Sequence, residues 1–286
     1  MSDAHPPPVE PGRPGIIVGY DGSADADLAV RWAAREARAR GCPLTLCLAR
    51  EPAAAGSPQG GGENGQRPAT DQEVLAAGTE LARRLSGGAQ PRSLLVSGPA
   101  VASLCELGRD AEMIVLGSRG RGGMPGMAIG SVSLYVAAHA PGRVVIVRGR
   151  WQSVQRHAPQ PVIAATDGSA RSAPALTFAF EEAALRDTWV LAICALADQA
   201  GRLGAAHEIE RDFTELLARH AERYPEVAVR RQVVPGSARP ALLKESARAQ
   251  FMAVGARGRG GFEGMALGSV GMAIASYAAC PVGIAR

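Results

Sequence analysis

Short, continuously apolar runs alternate with longer helix-compatible stretches along the whole chain. Apolar runs without polar alternation are typical of strands that are covered on both faces. The pattern therefore predicts an α/β fold with parallel sheets, and the right-handed crossover rule makes these sheets doubly wound. The predicted strands are 15–19, 44–49, 93–96, 113–116, 144–147, 162–165, 190–196, 227–234, 251–254 and 282–285. The predicted helices are 24–40, 70–85, 101–111, 131–138, 172–186, 207–223, 239–249 and 269–279, the second of which opens with a Thr-Asp-Gln-Glu capping box.

Three sequence blocks occur twice in the same order, which indicates a duplication. The first block, IVGYDGS at 17–23, recurs in related form as IAATDGS at 163–169. The second, VLGSRGRGG at 115–123, recurs as AVGARGRGG at 253–261, and the third, AIGSV at 128–132, recurs as ALGSV at 266–270. The first copy is longer, and the Gly/Pro/Ala-rich segment 52–68 holds the extra residues in what we expect to be a surface loop. We predict two five-stranded domains, at 15–148 and 161–286, joined by a linker at 149–160.

A glycine-rich loop follows the fourth predicted strand of each copy. Its spacing is Gly117-x2-Gly120-x9-Gly130-Ser131 in the first copy and Gly255-x2-Gly258-x9-Gly268-Ser269 in the second. Ligands of open α/β sheets bind beyond the carboxyl ends of the strands, where these loops are expected. Glycines let the backbone approach a ligand closely, and the N–H groups of the loop and of the following helix attract an anion. The pattern favours binding of a phosphate or a nucleotide over a glycine loop without a ligand.

The loops do not match two other phosphate-binding motifs. GxxxxGK[ST] is absent, and the dinucleotide fingerprint would place its glycines after the first strand, where Asp21-Gly22-Ser23 stands. Asp21 and its counterpart Asp167 end the first strand of their copies, at the same edge of the sheet as the glycine loop. Two interpretations stay open: the carboxylate contacts a ligand, or the Asp-Gly-Ser triplet only makes a turn and caps the next helix.

Composition narrows the location and the function class. The chain has 286 residues, 47% hydrophobic but only 4% aromatic, so we expect aliphatic cores. The net charge of +4 is mild, and Lys244 is the only lysine, so neither loop offers a lysine to a mechanism. Five cysteines without a CxxC motif favour thiols in a reducing compartment. A polar, Pro-rich start and the lack of apolar runs near the roughly 20 residues of a membrane helix predict a cytoplasmic protein.

These motifs resemble the universal stress protein family, specifically its ATP-binding branch. The resemblance consists of Asp-Gly-Ser after the first strand, the G-x2-G-x9-G-[S/T] loop and a final Pro-Val strand, here Pro281-Val282. It covers nearly the whole chain twice, and implies Rossmann-like, adenine-nucleotide alpha hydrolase-like domains. It also implies a regulatory, stress-responsive protein that binds ATP with Mg²⁺ or Mn²⁺ and has no dedicated catalysis. The implied ATP contacts are Gly19, Asp21, Ala49, Leu116, Gly117, Gly120, Gly130, Ser131, Val132 and Ser133, and in the second copy Ala165, Asp167, Ala195, Val254, Gly255, Gly258, Gly268, Ser269 and Val270.

In the implied site, Asp21 and Ala49 flank the adenine, Leu116 packs on the base, and the loop holds the ribose and phosphates. Gly271 occupies the position of Ser133, so the second site is expected to lack one phosphate-facing hydroxyl. We expect no second carboxylate near either loop at matched positions, so a metal ion would be held mainly by the phosphates, with help from Ser131 or Ser269.

The resemblance also concerns assembly. Family members pair through the last strand, and tandem members usually pair their own two halves in this way, so internal pairing and a homodimer are both expected possibilities. Arg143 stands before the last strand of the first copy, where the second copy has Pro281. This replacement leaves the strand edge usable but makes the pairing geometry less certain.

Three other functions stay open as alternatives. A slow ATP hydrolase would need a base, and the only acidic residue found around the loops is Glu263. A scaffold with empty sites would keep the loops without a ligand. The Arg-Gly-Arg-Gly-Gly segments at 119–123 and 257–261 mimic RNA-binding boxes, but each occurs once per domain and only Phe262 is an aromatic neighbour.

Overall fold

The computed structural model describes residues 15–50, 69–123, 126–149, 160–196, 203–259 and 266–286, with the backbone alone at 203–205. The chain divides into two compact units between Val136 and Ala137. The predicted surface loop at 52–68, most of the predicted linker at 149–160, and the residues Phe262 and Glu263 lie outside the described residues.

In the described residues, the first unit contains four parallel strands. They are β1 (Ile16–Gly19), β2 (Leu44–Arg50), β3 (Arg92–Ser97) and β4 (Met113–Gly117), in the order β3-β2-β1-β4. The helices are α1 (Ala24–Arg40), α2 (Asp71–Leu85), α3 (Ala100–Leu107) and α4 (Ser131–His139), the last of which crosses the division between the units. Gly19 lies opposite both Cys47 and Leu116, so the glycine loop begins beside the end of β1.

Six strands belong to the described part of the second unit. They are β5 (Val144–Val147), β6 (Val162–Thr166), β7 (Val190–Leu196), β8 (Val229–Pro235), β9 (Phe251–Gly255) and β10 (Val282–Ala285), in the order β5-β10-β9-β6-β7-β8. The pairs are parallel except β5 with β10, which is antiparallel with Val145 opposite Gly283. The helices are α5 (Ala173–Leu185), which follows a short 3₁₀ turn, α6 (Leu203–Arg223), α7 (Ala238–Ser246) and α8 (Ser269–Tyr277).

The predicted α/β class with doubly wound, mostly parallel sheets is confirmed, with five strands from each sequence copy in the described residues. The capping box at Thr70 is also confirmed, because the Thr70 side chain accepts from the N–H of Glu73 and the Glu73 carboxylate accepts from that of Thr70. Helix α3 ends at Leu107 instead of 111, and Gly108 follows it as the cap. None of the helices in the described ranges is long and apolar enough to span a membrane.

Arg143 is accommodated before β5 by partners within the second unit. Its guanidinium donates to both carboxylate oxygens of Glu181, at 2.5 and 3.1 Å, and lies 4.5 Å from the centre of the Phe178 ring. All four residues of β5 are buried. Arg143, which stands where the second copy has Pro281, therefore orients the approach to β5 by an ion pair and a cation–π contact.

Candidate functional site

A cavity of about 660 Å³ opens at the carboxyl ends of β6, β7 and β9 in the second unit. Small-molecule pockets in proteins typically measure roughly 300–1,000 Å³, so the space suits a ligand of nucleotide size. All nine residues that the sequence predicts for the second site line this cavity. They are Ala165, Asp167, Ala195, Val254, Gly255, Gly258, Gly268, Ser269 and Val270.

Further residues line the cavity that motif reasoning missed. Ile209 comes from α6, Ser237 and Leu242 come from the start and middle of α7, and Arg257 and Arg259 belong to the glycine loop. The two arginines recur at 119 and 121, so the repeat itself could have indicated them. Ile209 and Ser237 carry no local signal, since only the packing of their helices brings them to the sheet edge.

The inner wall of the cavity is apolar. Ala165 lies between Ile193 and Val254 on the neighbouring strands, and Leu242 of α7 completes this wall. Beside it, the hydroxyls of Thr166 and Ser172 lie 2.6 Å apart and are buried. This wall is buried and apolar, so a planar heterocycle can pack against it.

Both helices that follow the glycine loops begin with backbone N–H groups that are not used by the helix itself. In α8, the first N–H that reaches a backbone carbonyl is that of Met272, which donates to Gly268 at 2.9 Å. The N–H groups of residues 269–271 have no hydrogen-bond partner among the described residues, and Gly268 supplies no capping side chain. In α4 the N–H of Leu134 donates to Gly130 in the same way. Such unsatisfied amides at a helix start attract an anion.

The carboxylates of Asp21 and Asp167 tie the glycine loop to the end of the first strand. Asp21 accepts from the N–H of Arg121 at 2.7 Å and from that of Ser23 at 3.0 Å. Asp167 accepts from the N–H of Arg259 at 2.5 Å. The turn interpretation therefore describes part of the role, while contact with a ligand stays a prediction. One loop amide in each copy is used in this way and is not available to an anion.

The same contacts explain why Gly120 and Gly258 are glycines. A Cβ atom at Gly120 would lie 2.5 Å from the Oδ2 atom of Asp21, and one at Gly258 would lie 2.8 Å from that of Asp167. Both distances are shorter than any stable contact between carbon and oxygen. Each glycine lets the loop approach the carboxylate.

Arg259 fixes the second loop on two sides. Its Nε–H donates to the carbonyl oxygen of Asp167 at 2.8 Å, and its Nη2 donates to the carboxylate of Asp212 on α6 at 3.0 Å. The hydrogen bond from Arg259 lowers the pKa of the Asp212 carboxyl, so this ion pair stays formed at neutral pH. The corresponding Arg121 makes only a 3.4 Å contact with the Asp21 carbonyl.

The first site has the same framework but a more filled wall. Leu116 and Leu104 pack over Gly19, where a Cβ atom would lie 3.2 Å from the Cδ1 atom of Leu104. Gly117 is packed against α1, since its Cβ would lie 2.5 Å from the carbonyl carbon of Asp25. Ala49 lies at the end of β2, opposite Val96. The remaining predicted residues, Asp21, Gly120, Gly130, Ser131 and Val132, lie in the turn after β1, in the loop and at the start of α4.

The expected role of the Ser133 hydroxyl is not what the structure shows. Ser133 is buried, and its hydroxyl donates to the carbonyl oxygen of Gly117 at 2.7 Å. It therefore joins α4 to the end of β4 instead of facing a phosphate. The second site has Gly271 at this position, so it lacks this structural hydrogen bond. It does not lack a contact to a phosphate.

A carboxylate lies near each loop, although the two do not stand at matched positions of the two copies. Asp25 in the first turn of α1 accepts from the Ser118 hydroxyl at 2.7 Å and lies 3.4 Å from the Nε of Arg119. Helix packing brings it there from a position 93 residues away in sequence. The second unit has Arg171 and Ala256 at the positions of Asp25 and Ser118, and the carboxylate beside its loop is Asp212.

A protein-made metal site is not found among the described residues, where no group of three or more His, Cys, Asp or Glu side chains could hold an ion. No disulfide joins the five cysteines, all of which lie in described segments.

Comparisons with known proteins identify relatives along the whole chain. The sequence pattern of the Universal stress protein family matches residues 14–148 and 159–286. Universal stress protein Rv2623 of Mycobacterium tuberculosis is 38% identical over 289 residues, covering 95% of this chain and 96% of that protein. A universal stress protein of Mycolicibacterium smegmatis is 34% identical over 287 residues, with 95% and 97% coverage. The crystal structure of a universal stress protein from Archaeoglobus fulgidus shares the fold with a TM-score of 0.64 at 16% identity, covering 95% of this chain and 98% of that one.

Proposed function

Since the chain belongs to the universal stress protein family, we propose that it is a regulatory protein that binds ATP at the cavity of the second unit and at the first glycine loop. The observation that carries this proposal is the meeting of nine sequence-predicted residues around one cavity, beside a helix start with unused N–H groups. An adenine nucleotide combines the two features that this cavity accommodates, a flat base and a polyanionic tail.

Each part of the cavity has a role in the proposal. The apolar wall formed by Ala165, Ile193 and Val254 packs against the base and excludes water from it. The N–H groups of residues 269–271 donate to the phosphates, and the exposed side chain of Arg257 adds positive charge. Asp167 holds the loop in place through the N–H of Arg259.

We expect a divalent ion to bind at this site only together with the nucleotide. Phosphate oxygens would supply most of its ligands, and the hydroxyl of Ser131 or Ser269 is exposed at the helix start of its site. The ion would neutralise phosphate charge. Asp167 is the only carboxylate among the described residues that line the cavity, and it holds the loop, so we propose that the nucleotide acts as a regulatory ligand and is not turned over by dedicated catalysis.

We also propose that the antiparallel β5–β10 pair is the internal counterpart of the strand pairing by which family members associate. In this proposal β10 pairs with a strand of the same chain, so a second copy of the chain is not needed to cover the edge of β10. The cytoplasmic location remains a prediction from the sequence.

Titration calorimetry on the full chain with ATP and Mg²⁺ tests the binding proposal. Gly268→Val places a side chain between the loop and the start of α8, where the Cβ itself makes only an ordinary contact of 3.6 Å with the Ala256 carbonyl oxygen. We expect this variant to lose binding at the second site by at least about tenfold, the effect of about 1.4 kcal/mol. Gly122→Val is the control for the second site, because it lies in the loop of the other unit and nothing lies within 4 Å of a Cβ there.

Nucleotide identification supplies an independent readout. Gently denatured wild-type protein should release an adenine nucleotide that mass spectrometry detects, and the Gly268→Val protein should release less. Unchanged affinity and stoichiometry in Gly268→Val would contradict the placement of the site. Gly117 is unsuitable for this test, since a side chain there would meet the backbone of Asp25 at 2.5 Å and disturb the packing of α1.

A further inference from the structure

We propose that the two sites are unequal, and that the second site binds the nucleotide tightly while Asp25 makes the first site weak. This inference rests on the proposed function and concerns which residues set the affinity of each site. Although the glycine spacing is identical in both copies, the residues that surround the two loops differ in charge, in anchoring and in space.

The two loops differ in the carboxylate that lies beside them. In the first unit, the carboxylate of Asp25 is fixed against the loop by the Ser118 hydroxyl at 2.7 Å, and it lies 3.4 Å from the Nε of Arg119. The second unit has Arg171 and Ala256 at these two positions, and the carboxylate beside its loop, Asp212, is paired with Arg259 at 3.0 Å. A fixed carboxylate beside the loop repels a polyphosphate, and the closer ion pair compensates more of the charge of Asp212 than of Asp25.

The loop arginines are consequently available to different extents. Arg119 is drawn toward Asp25, so part of its charge is already compensated. Its counterpart Arg257 lines the cavity, is exposed, and forms no hydrogen bond or ion pair with the described residues. The second site therefore presents an uncompensated cation to the phosphates.

The two loops are anchored by different partners. Arg259 joins the second loop to the end of β6 and, through Asp212, to α6. The first loop is held at the start of α1 instead, because Asp25 accepts from the Ser118 hydroxyl and from Arg119, and the Ser23 hydroxyl donates to the Arg119 carbonyl oxygen. Anchoring of the first loop therefore uses Arg119, whereas anchoring of the second loop does not use Arg257.

The walls differ in the same direction. In the first unit the side chains of Leu104 and Leu116 occupy the space over Gly19. In the second unit Val254, a smaller residue than Leu116, stands beside Ala165 at the edge of the 660 Å³ cavity. Leu242, at the position equivalent to Leu104, also lines the second cavity, so the two walls differ by Val254 in place of Leu116. Gly271 in place of Ser133 does not weaken the second site. In the first site the Ser133 hydroxyl donates to the Gly117 carbonyl oxygen and is not directed at a ligand.

Calorimetry with ATP and Mg²⁺ on four full-length proteins tests the inequality. Wild type should show one tight and one weak binding event that differ by at least about tenfold in Kd. Gly130→Val, whose Cβ makes only 3.5 Å contacts, should keep the tight event, and Gly268→Val should keep only the weak one. Adding Asp25→Asn to Gly268→Val should strengthen the remaining event by about threefold or more, because the carboxylate charge is removed. The Asn side chain can still accept from Ser118, so the packing of α1 is retained.

Two further variants separate local charge from net charge. Arg257→Gln should weaken the tight event by about threefold or more and reduce its dependence on salt. Asp110→Asn, an exposed position near the amino end of β4, removes the same charge as Asp25→Asn and should leave both events unchanged. Circular dichroism spectra that match wild type, with Gly268→Ala as a milder substitute, establish that each variant is folded.

The outcomes distinguish this inference from the proposed function. Two events of equal affinity in wild type, or loss of the tight event in Gly130→Val, would overturn the inequality while ATP binding stands. An unchanged weak event in the Asp25→Asn protein would overturn the role of Asp25. Absence of any ATP binding in wild type would overturn both the proposed function and this inference.

Discussion

At the scale of single residues, the carboxylates after β1 and β6 show how a short motif acquires a structural role. Asp21 and Asp167 accept N–H groups from loops that begin about 100 residues later in the chain. Each carboxylate has room for several donors, so holding the loop does not exhaust its capacity. The interaction places the glycine loop at the sheet edge before any ligand is bound.

Buried thiols make the protein sensitive to alkaline pH. Burial raises the pKa of Cys47 and Cys194 to about 11 from the ordinary value near 9. A thiol whose pKa is higher in the folded state than in the unfolded state contributes stability in full below about pH 9, and this contribution is lost as the pH rises toward 11.

We therefore expect the free energy of unfolding in urea to fall between pH 9 and pH 11, and alkylation of both thiols to be slow at pH 8. The Cys47→Ala, Cys194→Ala variant should lose part of this decline, although Tyr20 contributes as well, because burial and the hydrogen bond to Asp27 raise its pKa. Parallel pH profiles for the variant and the wild type would show that the thiols are not responsible.

At the scale of elements, the approach to β5 depends on one ion pair. Arg143 and Glu181 form a two-pronged contact beside Phe178, and each side chain is about a quarter exposed, at 23% and 25%. Partial exposure weakens an ion pair through solvent screening. The contact is therefore expected to orient β5 against β10 more than to supply a large stabilisation.

A double-mutant cycle measures this contribution. Arg143→Ala and Glu181→Ala should each lower the free energy of unfolding by about 1–2 kcal/mol, with a coupling energy of about 1 kcal/mol between them. Arg143→Lys should recover only part of the loss, because an ammonium group cannot make the paired contact with both oxygens. A coupling energy near zero would mean that the two side chains act independently.

At the scale of the whole molecule, unequal sites imply that ligand stabilisation comes mainly from one of them. A ligand that binds only the folded protein adds about 2.7 kcal/mol at a concentration 100 times its Kd. With ATP and Mg²⁺ at such an excess over the tight Kd, the Tm of wild type should rise by a few degrees.

The same thermal measurement on the site variants assigns the effect. Gly130→Val should keep most of the rise in Tm, and Gly268→Val should lose most of it, while Gly122→Val behaves as wild type. A rise that disappears in Gly130→Val and survives in Gly268→Val would place the stabilising site in the first unit, against our inference.

Local pattern was sufficient for most of the fold. Strands such as β4 and β6 were predictable because every residue in them is buried and all but Thr166 are nonpolar, and helix α2 was predictable because Thr70 and Glu73 are a capping pair. The exact ends of α3 and α8 were less predictable, since the last turn of a helix depends on what it packs against. The resemblance of the motifs to the family predicted nine of the residues that line the cavity, whereas Ile209 and Ser237 reach it only through the packing of their helices.

What the sequence by itself determined is the α/β class, the duplication and the family, since these depend on periodicity, repeats and motifs along the chain. Only the tertiary structure decided that Asp25 lies beside the first loop, that Arg259 is held by Asp212, that Ser133 is turned toward Gly117, and that β5 pairs with β10. Those contacts join residues that are far apart in the chain. Their formation depends on how helices and strands pack, which no local pattern encodes.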